Sequence, residues 1–183
     1  MLRQLVKRLV PYLLPSGTYR RIAFSRIYRK KAWGSEGTRF FSGVGSRGAA
    51  VTTYVDALAL ELDSPRTIVD LGCGDFEVGR ALLARYPQAK YIGCDIVPNL
   101  VKHLQNVHGS DRVNFRLVDI VDSRDLPEGD MYLIRQVFQH LSNDDILRVL
   151  EKLIDRPCLI VSEGQPLVRT GPVNPDKVAS AHT

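Results

Sequence analysis

The sequence predicts an α/β protein in which helices cover both faces of a doubly wound, mainly parallel β-sheet. Short apolar segments alternate with amphipathic helical segments from residue 49 onward. A glycine-rich turn, Gly72 to Gly74, directly follows the first apolar segment and permits a tight strand-to-helix connection. Acidic residues stand at the ends of several apolar segments, where the carboxyl ends of parallel strands meet at one edge of a sheet.

The individual elements follow from the spacing of the apolar residues. Five strands are predicted at residues 67–71, 90–95, 113–118, 131–135 and 157–162. Helices are predicted at residues 49–62, 78–85, 99–107 and 142–153. Ser142 with Asp145 three residues later forms a near capping box that begins the last helix. Strands joined by helices of about ten residues form βαβ units, and therefore a parallel sheet.

Length and composition indicate one folded domain with additional segments. The chain has 183 residues, of which 44% are apolar and 25% are charged, as in ordinary globular proteins. Its three cysteines are too few and too scattered for a disulfide framework, which favours a reducing compartment such as the cytoplasm. The apolar runs are only a few residues long, so no transmembrane helix is predicted.

The net charge of +5 comes from an uneven distribution of basic residues. Residues 1–31 contain nine basic side chains and no acid, whereas residues 32–183 contain 16 basic side chains and all 20 acids. Because the positive charge is not spread over the folded body, the sequence argues against a nucleic-acid-binding domain.

Residues 1–31 are predicted to form a basic amphipathic arm. Apolar residues between Leu2 and Leu13 follow helical spacing, Pro11 and Pro15 are predicted to end this helix early, and Ser16 with Gly17 is predicted as a turn. Two interpretations remain open: the arm lies on an anionic membrane surface, or it packs on the domain with its basic face in solvent. A mitochondrial presequence has a similar composition. The expected location is the cytoplasm, either free or at a membrane surface.

The glycine-rich turn differs from the dinucleotide-binding fingerprint. That fingerprint reads G-x-G-x-x-G, but here Gly72 and Gly74 are followed by Gly79, two positions late. The acids Asp75 and Glu77 stand where a pyrophosphate would lie. The turn therefore favours a cationic ligand without phosphate over a dinucleotide.

The segment D-L-G-C-G at residues 70–74 resembles motif I of the class I S-adenosylmethionine-dependent methyltransferases. Asp95, 21 residues after Gly74, stands where the family binds the ribose hydroxyls, and Asp119 resembles its contact to the adenine amino group. Asp122 and Asp125 remain alternatives for Asp119. Residues 130–141 resemble the family's segment after strand four, so the likeness covers about residues 66–163.

The resemblance implies a Rossmann-like methyltransferase fold with S-adenosyl-L-methionine as cofactor. The residues it implies for cofactor binding are Asp70, Gly72, Cys73, Gly74, Asp95, Ile96, Asp119, Ile120, Arg135 and Gln136. No metal is predicted, since His103, His108 and His182 lack the spacing of metal ligands. The main domain is predicted at residues 49–163, and residues 164–183 are predicted as an irregular tail without the family's usual final antiparallel strand pair.

Residues 32–48 form a link rich in glycine and serine. Trp33-Gly34 and the segment S-G-V-G-S at residues 42–46 resemble a segment that precedes motif I in a bacterial subgroup of the family. The resemblance implies a lid over the methionine end of the cofactor, which would shield the methyl group from water. A flexible linker is the alternative.

The catalytic prediction is methylation of a hydroxyl group. His140, just past the fourth strand, is the first candidate for the general base, and Glu163, after the fifth strand, is the second. His140 as a packed histidine is the alternative. The predicted acceptor is a small molecule or a saccharide, such as a glycan near a membrane. Two other functions remain open: a non-catalytic cofactor-binding partner subunit and a nicotinamide-dependent oxidoreductase.

Overall fold

The computed structural model describes residues 14–61 and 64–164 and contains one five-stranded sheet. The strands are β1 (Thr67–Leu71), β2 (Lys90–Asp95), β3 (Val113–Leu117), β4 (Met131–Arg135) and β5 (Leu159–Ser162). Their order is β3-β2-β1-β4-β5 and every neighbouring pair is parallel, with Ile68 of β1 opposite Tyr91 on one side and Met131 on the other. The chain thus reverses its direction of winding between β1 and β4, which confirms the predicted doubly wound sheet.

Four of the five α-helices correspond to predicted helices, and the described connection from β3 to β4 contains no helix. The α-helices are α1 (Ser16–Lys30), α2 (Gly48–Glu61), α3 (Glu77–Arg85), α4 (Pro98–His108) and α5 (Asn143–Leu153), with short 3₁₀ helices at Val44–Ser46 and Phe138–His140. The Ser142 side chain accepts a hydrogen bond of 3.2 Å from the Asp145 N–H and so caps α5.

One prediction at the N-terminus is wrong. Ser16 and Gly17 are the first residues of α1 rather than a turn, and Pro15 is its N-cap. A proline at a helix start costs nothing, since the first N–H groups of a helix have no partner within it. Gly17 lies against the acidic loop after β3, where a Cβ atom would come within 2.4 Å of Asp122 Oδ2.

The core lies on both faces of the sheet, because successive strand side chains point to opposite sides. One cluster joins strand residues to α2, α3 and α4 and includes Val55, Ile68, Leu82, Tyr91, Leu100 and Leu133. The other joins strand residues to α5 and includes Val69, Leu71, Tyr132, Ile134, Val149 and Leu153. Helices therefore cover both faces, as the doubly wound fold requires.

Some predictions fall on residues that the structure does not describe. The amphipathic helix over residues 2–13, the tail beyond Gly164 and the expected lack of a final strand pair all lie there. Among residues 14–61 and 64–164, no helix is both long enough and apolar enough to cross a membrane.

Candidate cofactor and active site

A cavity of about 330 Å³ lies at the carboxyl ends of β1 to β4, where the strand order reverses. This volume suits one small ligand, and the position is where open α/β sheets bind ligands. All the residues predicted to bind cofactor line it: Asp70, Gly72, Cys73, Gly74, Asp95, Ile96, Asp119, Ile120, Arg135 and Gln136. The structure therefore brings these residues together around one space, while their role in binding stays a prediction.

The turn after β1 presents bare backbone to this cavity. Gly72 has φ 96°, and a Cβ atom there would lie 2.4 Å from Val137 Cγ2. Gly74 has φ 54°, and a Cβ atom there would lie 2.4 Å from Ser42 Oγ. Gly72 thus requires glycine on grounds of conformation and of space, and at Gly74 a side chain would collide with Ser42. The turn after β4 is also left-handed, at Gln136 with φ 55°, which for a non-glycine residue is a strained conformation typical of functional sites.

Asp95, at the end of β2, is a buried carboxylate that retains capacity to accept a hydrogen bond from a ligand. Its Oδ1 accepts a hydrogen bond of 3.0 Å from the Val97 N–H, and its Oδ2 accepts one of 3.3 Å from the Gly74 N–H. Burial raises the pKa of Asp95 to about 6, although these backbone hydrogen bonds favour the charged form. The Ile96 backbone also forms a hydrogen bond with this carboxylate. A carboxylate has about four acceptor positions, so one remains for a hydroxyl group of a ligand.

Asp70 at the end of β1 and Arg135 at the end of β4 place opposite charges on adjacent strands. Burial raises the pKa of Asp70 to about 6, while the hydrogen bond of 2.7 Å from the Tyr91 hydroxyl and the charge of Arg135 oppose the rise. The Arg135 guanidinium donates to the Gly45 carbonyl at 2.6 Å and stacks over the Tyr54 ring. A carboxylate beside a guanidinium suits a ligand that carries both an amino and a carboxylate group.

Asp119, after β3, is held by an arginine from the N-terminal helix. The Arg20 side chain donates to Asp119 Oδ2 from Nε at 3.3 Å and from Nη2 at 3.0 Å. Asp119 Oδ1 accepts a hydrogen bond of 3.0 Å from the Val121 N–H. Of the three acids considered for this position, Asp119 lines the cavity, whereas Asp122 and Asp125 do not.

A strap at residues 42–47 lies against the glycine-rich turn. The Ser42 N–H donates to Asp75 Oδ2 at 2.8 Å, and the Asp75 N–H donates to Ser42 Oγ at 2.9 Å. Arg47 forms an ion pair of 2.8 Å with the same Asp75 carboxylate. Asp75 is therefore paired with Ser42 and Arg47 of the strap. This pairing weakens the argument from the sequence that Asp75 would repel a diphosphate.

The two candidate bases differ in where the structure places them. His140 lines the cavity at the end of a short 3₁₀ helix, with its ring centroid 5.3 Å from Trp33 and 6.1 Å from Phe24. Glu163 is not among the residues that line the cavity. Its carboxylate accepts hydrogen bonds from the N–H groups of Val137 at 3.0 Å, Phe138 at 2.9 Å and Gln139 at 3.3 Å. Glu163 thus caps the helix that carries His140.

Sequence analysis did not identify the wall that α1 adds to the cavity. Arg20, Phe24 and Tyr28 line the cavity from this helix, and Trp33 follows just after it. The spacing of four residues between the first three is the signal that places them on one helical face. The described parts of the chain hold no group of three or more His, Cys, Asp or Glu side chains able to bind a metal ion.

Comparisons with known proteins agree with this geometry. Residues 69–156 match the family model described as a methyltransferase domain. The chain is 28% identical over 102 residues to malonyl-[acyl-carrier protein] O-methyltransferase of Acetivibrio thermocellus, covering 56% of this chain and 35% of that protein. It is 35% identical over 77 residues to juvenile hormone acid O-methyltransferase of Bombyx mori, covering 40% of this chain and 25% of that protein.

A solved structure supports the same fold. The crystal structure of human N-acetylserotonin methyltransferase in complex with S-adenosylmethionine superposes with a TM-score of 0.56 at 20% identity, covering 90% of this chain and 47% of that one. The matches thus span less than half the length of each of these proteins. Residues 69–156, slightly less than half of this chain, are thus similar to a methyltransferase domain, and the fold is that of an S-adenosylmethionine-dependent methyltransferase.

Proposed function

We propose that this chain binds S-adenosyl-L-methionine in the cavity and transfers its methyl group to a small-molecule acceptor. The observation that carries the proposal is the Asp95 carboxylate, which is buried beside a bare glycine turn and lines the cavity. Such a carboxylate receives a ribose hydroxyl in a charge-assisted hydrogen bond.

Residues at the other strand ends contact the remaining parts of the cofactor in this proposal. The adenine amino group donates to Asp119, with the apolar side chains of Ile96 and Ile120 against the ring. The amino and carboxylate groups of the methionine end pair with Asp70 and Arg135, whose charges lie on adjacent strands.

Three further positions complete this assignment. Gly72, Cys73 and Gly74 contribute backbone, since the Cys73 thiol donates only a long bond of 3.8 Å to a carbonyl of its own turn. Gln136 lies at the methionine end beside Gly45 of the strap. The strap at residues 42–47 acts as a lid there and shields the sulfonium from water.

The proposed chemistry is an in-line displacement at the methyl carbon. The acceptor oxygen forms a bond to that carbon as the carbon–sulfur bond breaks, and the bonding electron pair goes to sulfur to leave S-adenosylhomocysteine. The proton of the acceptor hydroxyl goes to the His140 imidazole, which acts as the general base. The rings of Phe24 and Trp33 beside His140 favour an acceptor with an apolar or flat face, a saccharide ring included.

Thermal melting and calorimetry test the cofactor. S-adenosylhomocysteine is expected to raise the melting temperature and to titrate as one site, while NAD and NADP produce no shift. A shift with the dinucleotides alone favours the oxidoreductase alternative. Binding without methyl transfer to any of a panel of hydroxyl, carboxyl and saccharide acceptors favours the non-catalytic partner subunit.

The general base is tested by His140→Ala. Turnover is expected to fall by about 10²–10⁴ with little change in affinity for S-adenosylhomocysteine. His103→Ala is the matched control, since this histidine lies on α4 and does not line the cavity. A loss of turnover below tenfold contradicts the role and leaves proximity as the main catalytic effect.

We also propose an anionic membrane surface as a partner, through the outer face of α1. While Arg20 is buried, the exposed side chains of this helix include Arg21, Ile22, Arg26, Arg29 and Lys30. Binding to vesicles with phosphatidylserine is expected to weaken as salt rises and to be lost when the four cations become glutamine. Neutralising Arg85, Arg112, Arg116 and Lys90, which are exposed elsewhere, is the control. Equal loss in both variants contradicts a specific role for α1.

A further inference from the structure

Arg20 stands apart from the other basic residues of α1. It is 2% exposed, whereas its neighbour Arg21 lies in solvent. Its guanidinium pairs with three carboxylates from distant parts of the chain: Asp119 at 3.0 Å, Asp122 at 2.6 Å and Asp145 at 3.0 Å. Asp119 and Asp145 are 10% and 14% exposed, whereas Asp122 is 38% exposed. Burial of charged groups is costly, and replacing a buried ion pair by apolar groups is often neutral or stabilising. Its contribution to stability alone therefore does not account for it.

The hydrogen bonds at Asp119 indicate what the network does. Arg20 Nε and Nη2 both donate to Asp119 Oδ2 and occupy its two acceptor positions, while the Val121 N–H occupies one position of Oδ1. One acceptor position remains, on Oδ1. Both Arg20 and Asp119 line the cavity, so this position is available to a ligand there.

We infer that Arg20 is a positioning residue that makes the cavity selective for a ligand with an amino group at the Asp119 end. This inference rests on the proposed function, since it takes the adenine amino group as the donor. Arg20 fixes the orientation of the carboxylate, so a ring that presents an N–H is accepted and one that presents none leaves the carboxylate without its ligand donor.

The test compares S-adenosylhomocysteine with its analogue in which a hydrogen atom replaces the adenine amino group, so that this edge of the ring presents no N–H. Calorimetry on the wild type is expected to show a preference of about tenfold to hundredfold for the amino compound. Arg20→Gln is expected to lower the affinity for S-adenosylhomocysteine and to abolish the preference. A residue that only stabilises the fold would weaken both compounds by the same factor and leave their ratio unchanged.

Arg148→Gln is the matched control. Arg148 pairs with Asp122 at 2.8 Å and with Asp145 at 3.5 Å, but it is 49% exposed and does not line the cavity. Its substitution is expected to leave the preference intact. Asp119→Asn is expected to lose the preference as Arg20→Gln does, and the double variant to lose no more than either, because the two residues act through one contact.

Each outcome decides between the proposals. A wild type that binds neither compound contradicts the proposed function. A wild type that discriminates, together with an Arg20→Gln variant that discriminates equally, overturns the inference and leaves the proposed function standing. If Arg20→Gln does not fold, Arg20→Lys retains the charge among the three carboxylates without the planar fork. An Arg20→Lys variant with the full wild-type preference then overturns the inference.

Discussion

Asp95 and Asp119 follow neighbouring strands and line the same cavity, yet the protein holds them in different ways. Asp95 is fixed by N–H groups of its own turn and of the adjacent one, within 21 residues along the chain. Asp119 is fixed by a buried arginine 99 residues away in a helix that precedes the sheet. The Asp95 end is thus built by local backbone without a counter-ion, and its carboxyl has a raised pKa. The Asp119 end depends on a long-range ion pair.

The largest effect is expected from removing the carboxylate at the local end. Asp95→Ala leaves the ribose without this acceptor and is expected to lower the affinity for S-adenosylhomocysteine by about hundredfold, the effect of losing a hydrogen bond to a charged group. Calorimetry at pH 7.5 measures it. Asp111→Ala, an exposed acid outside the cavity, is the control. An unchanged dissociation constant for Asp95→Ala contradicts the ribose assignment.

The same comparison explains what the sequence could predict. The sheet, its helices and the strand-end acids are predictable because apolar periodicity and the motif around Gly72 and Gly74 are local patterns. Every predicted cofactor residue proved to line one cavity, since parallel strands bring their carboxyl ends to the same edge. Nothing in the local sequence indicates that Arg20 pairs with Asp119, because a basic residue in a helix that contains several others is expected to be exposed.

The partners of Glu163 and Asp75 could not be predicted from the sequence for the same reason. Glu163 looked like a second base by its strand-end position, but its carboxylate caps the short helix of His140 through backbone N–H groups about 25 residues away. Asp75 looked like a repulsive charge in the turn, but Ser42 and Arg47 of the strap bind it. Position along a strand predicts which edge a side chain reaches, whereas its partners depend on tertiary packing.

A second effect is expected on stability, at Asp70. Because burial raises its pKa in the folded state to about 6 from an ordinary 3.8, ionisation opposes folding. Stability from this group is fully present below about pH 4 and is lost as the pH rises through 6. Asp70→Asn removes that loss, retains an acceptor for the Tyr91 hydroxyl and is expected to raise the free energy of unfolding at pH 7.5 by about 1–3 kcal/mol.

Urea denaturation at pH 7.5 and at pH 4.0 checks this expectation. The gain from Asp70→Asn is expected at pH 7.5 and not at pH 4.0, where the wild-type carboxyl is already neutral. Asp111→Asn, in an exposed position, is expected to change neither value. A gain of equal size at both pH values contradicts a buried, ionised carboxylate as its cause.

The smallest effect is expected in the pH dependence of ligand binding, which follows from the raised pKa of Asp95. Asp95 is a stronger acceptor for the ribose hydroxyls when it is ionised, so the ligand favours the charged form, and affinity falls as the pH falls through the pKa of about 6. The affinity for S-adenosylhomocysteine is expected to be constant above pH 7 and about tenfold lower at pH 5. Asp70 is a second buried carboxyl with a pKa of about 6, so the same pH series on Asp70→Asn shows how much of the pH dependence comes from Asp70. The weak residual binding of Asp95→Ala is expected to lose most of this dependence, and a wild-type affinity that stays constant down to pH 5 would show that the Asp95 carboxylate does not hold the ribose.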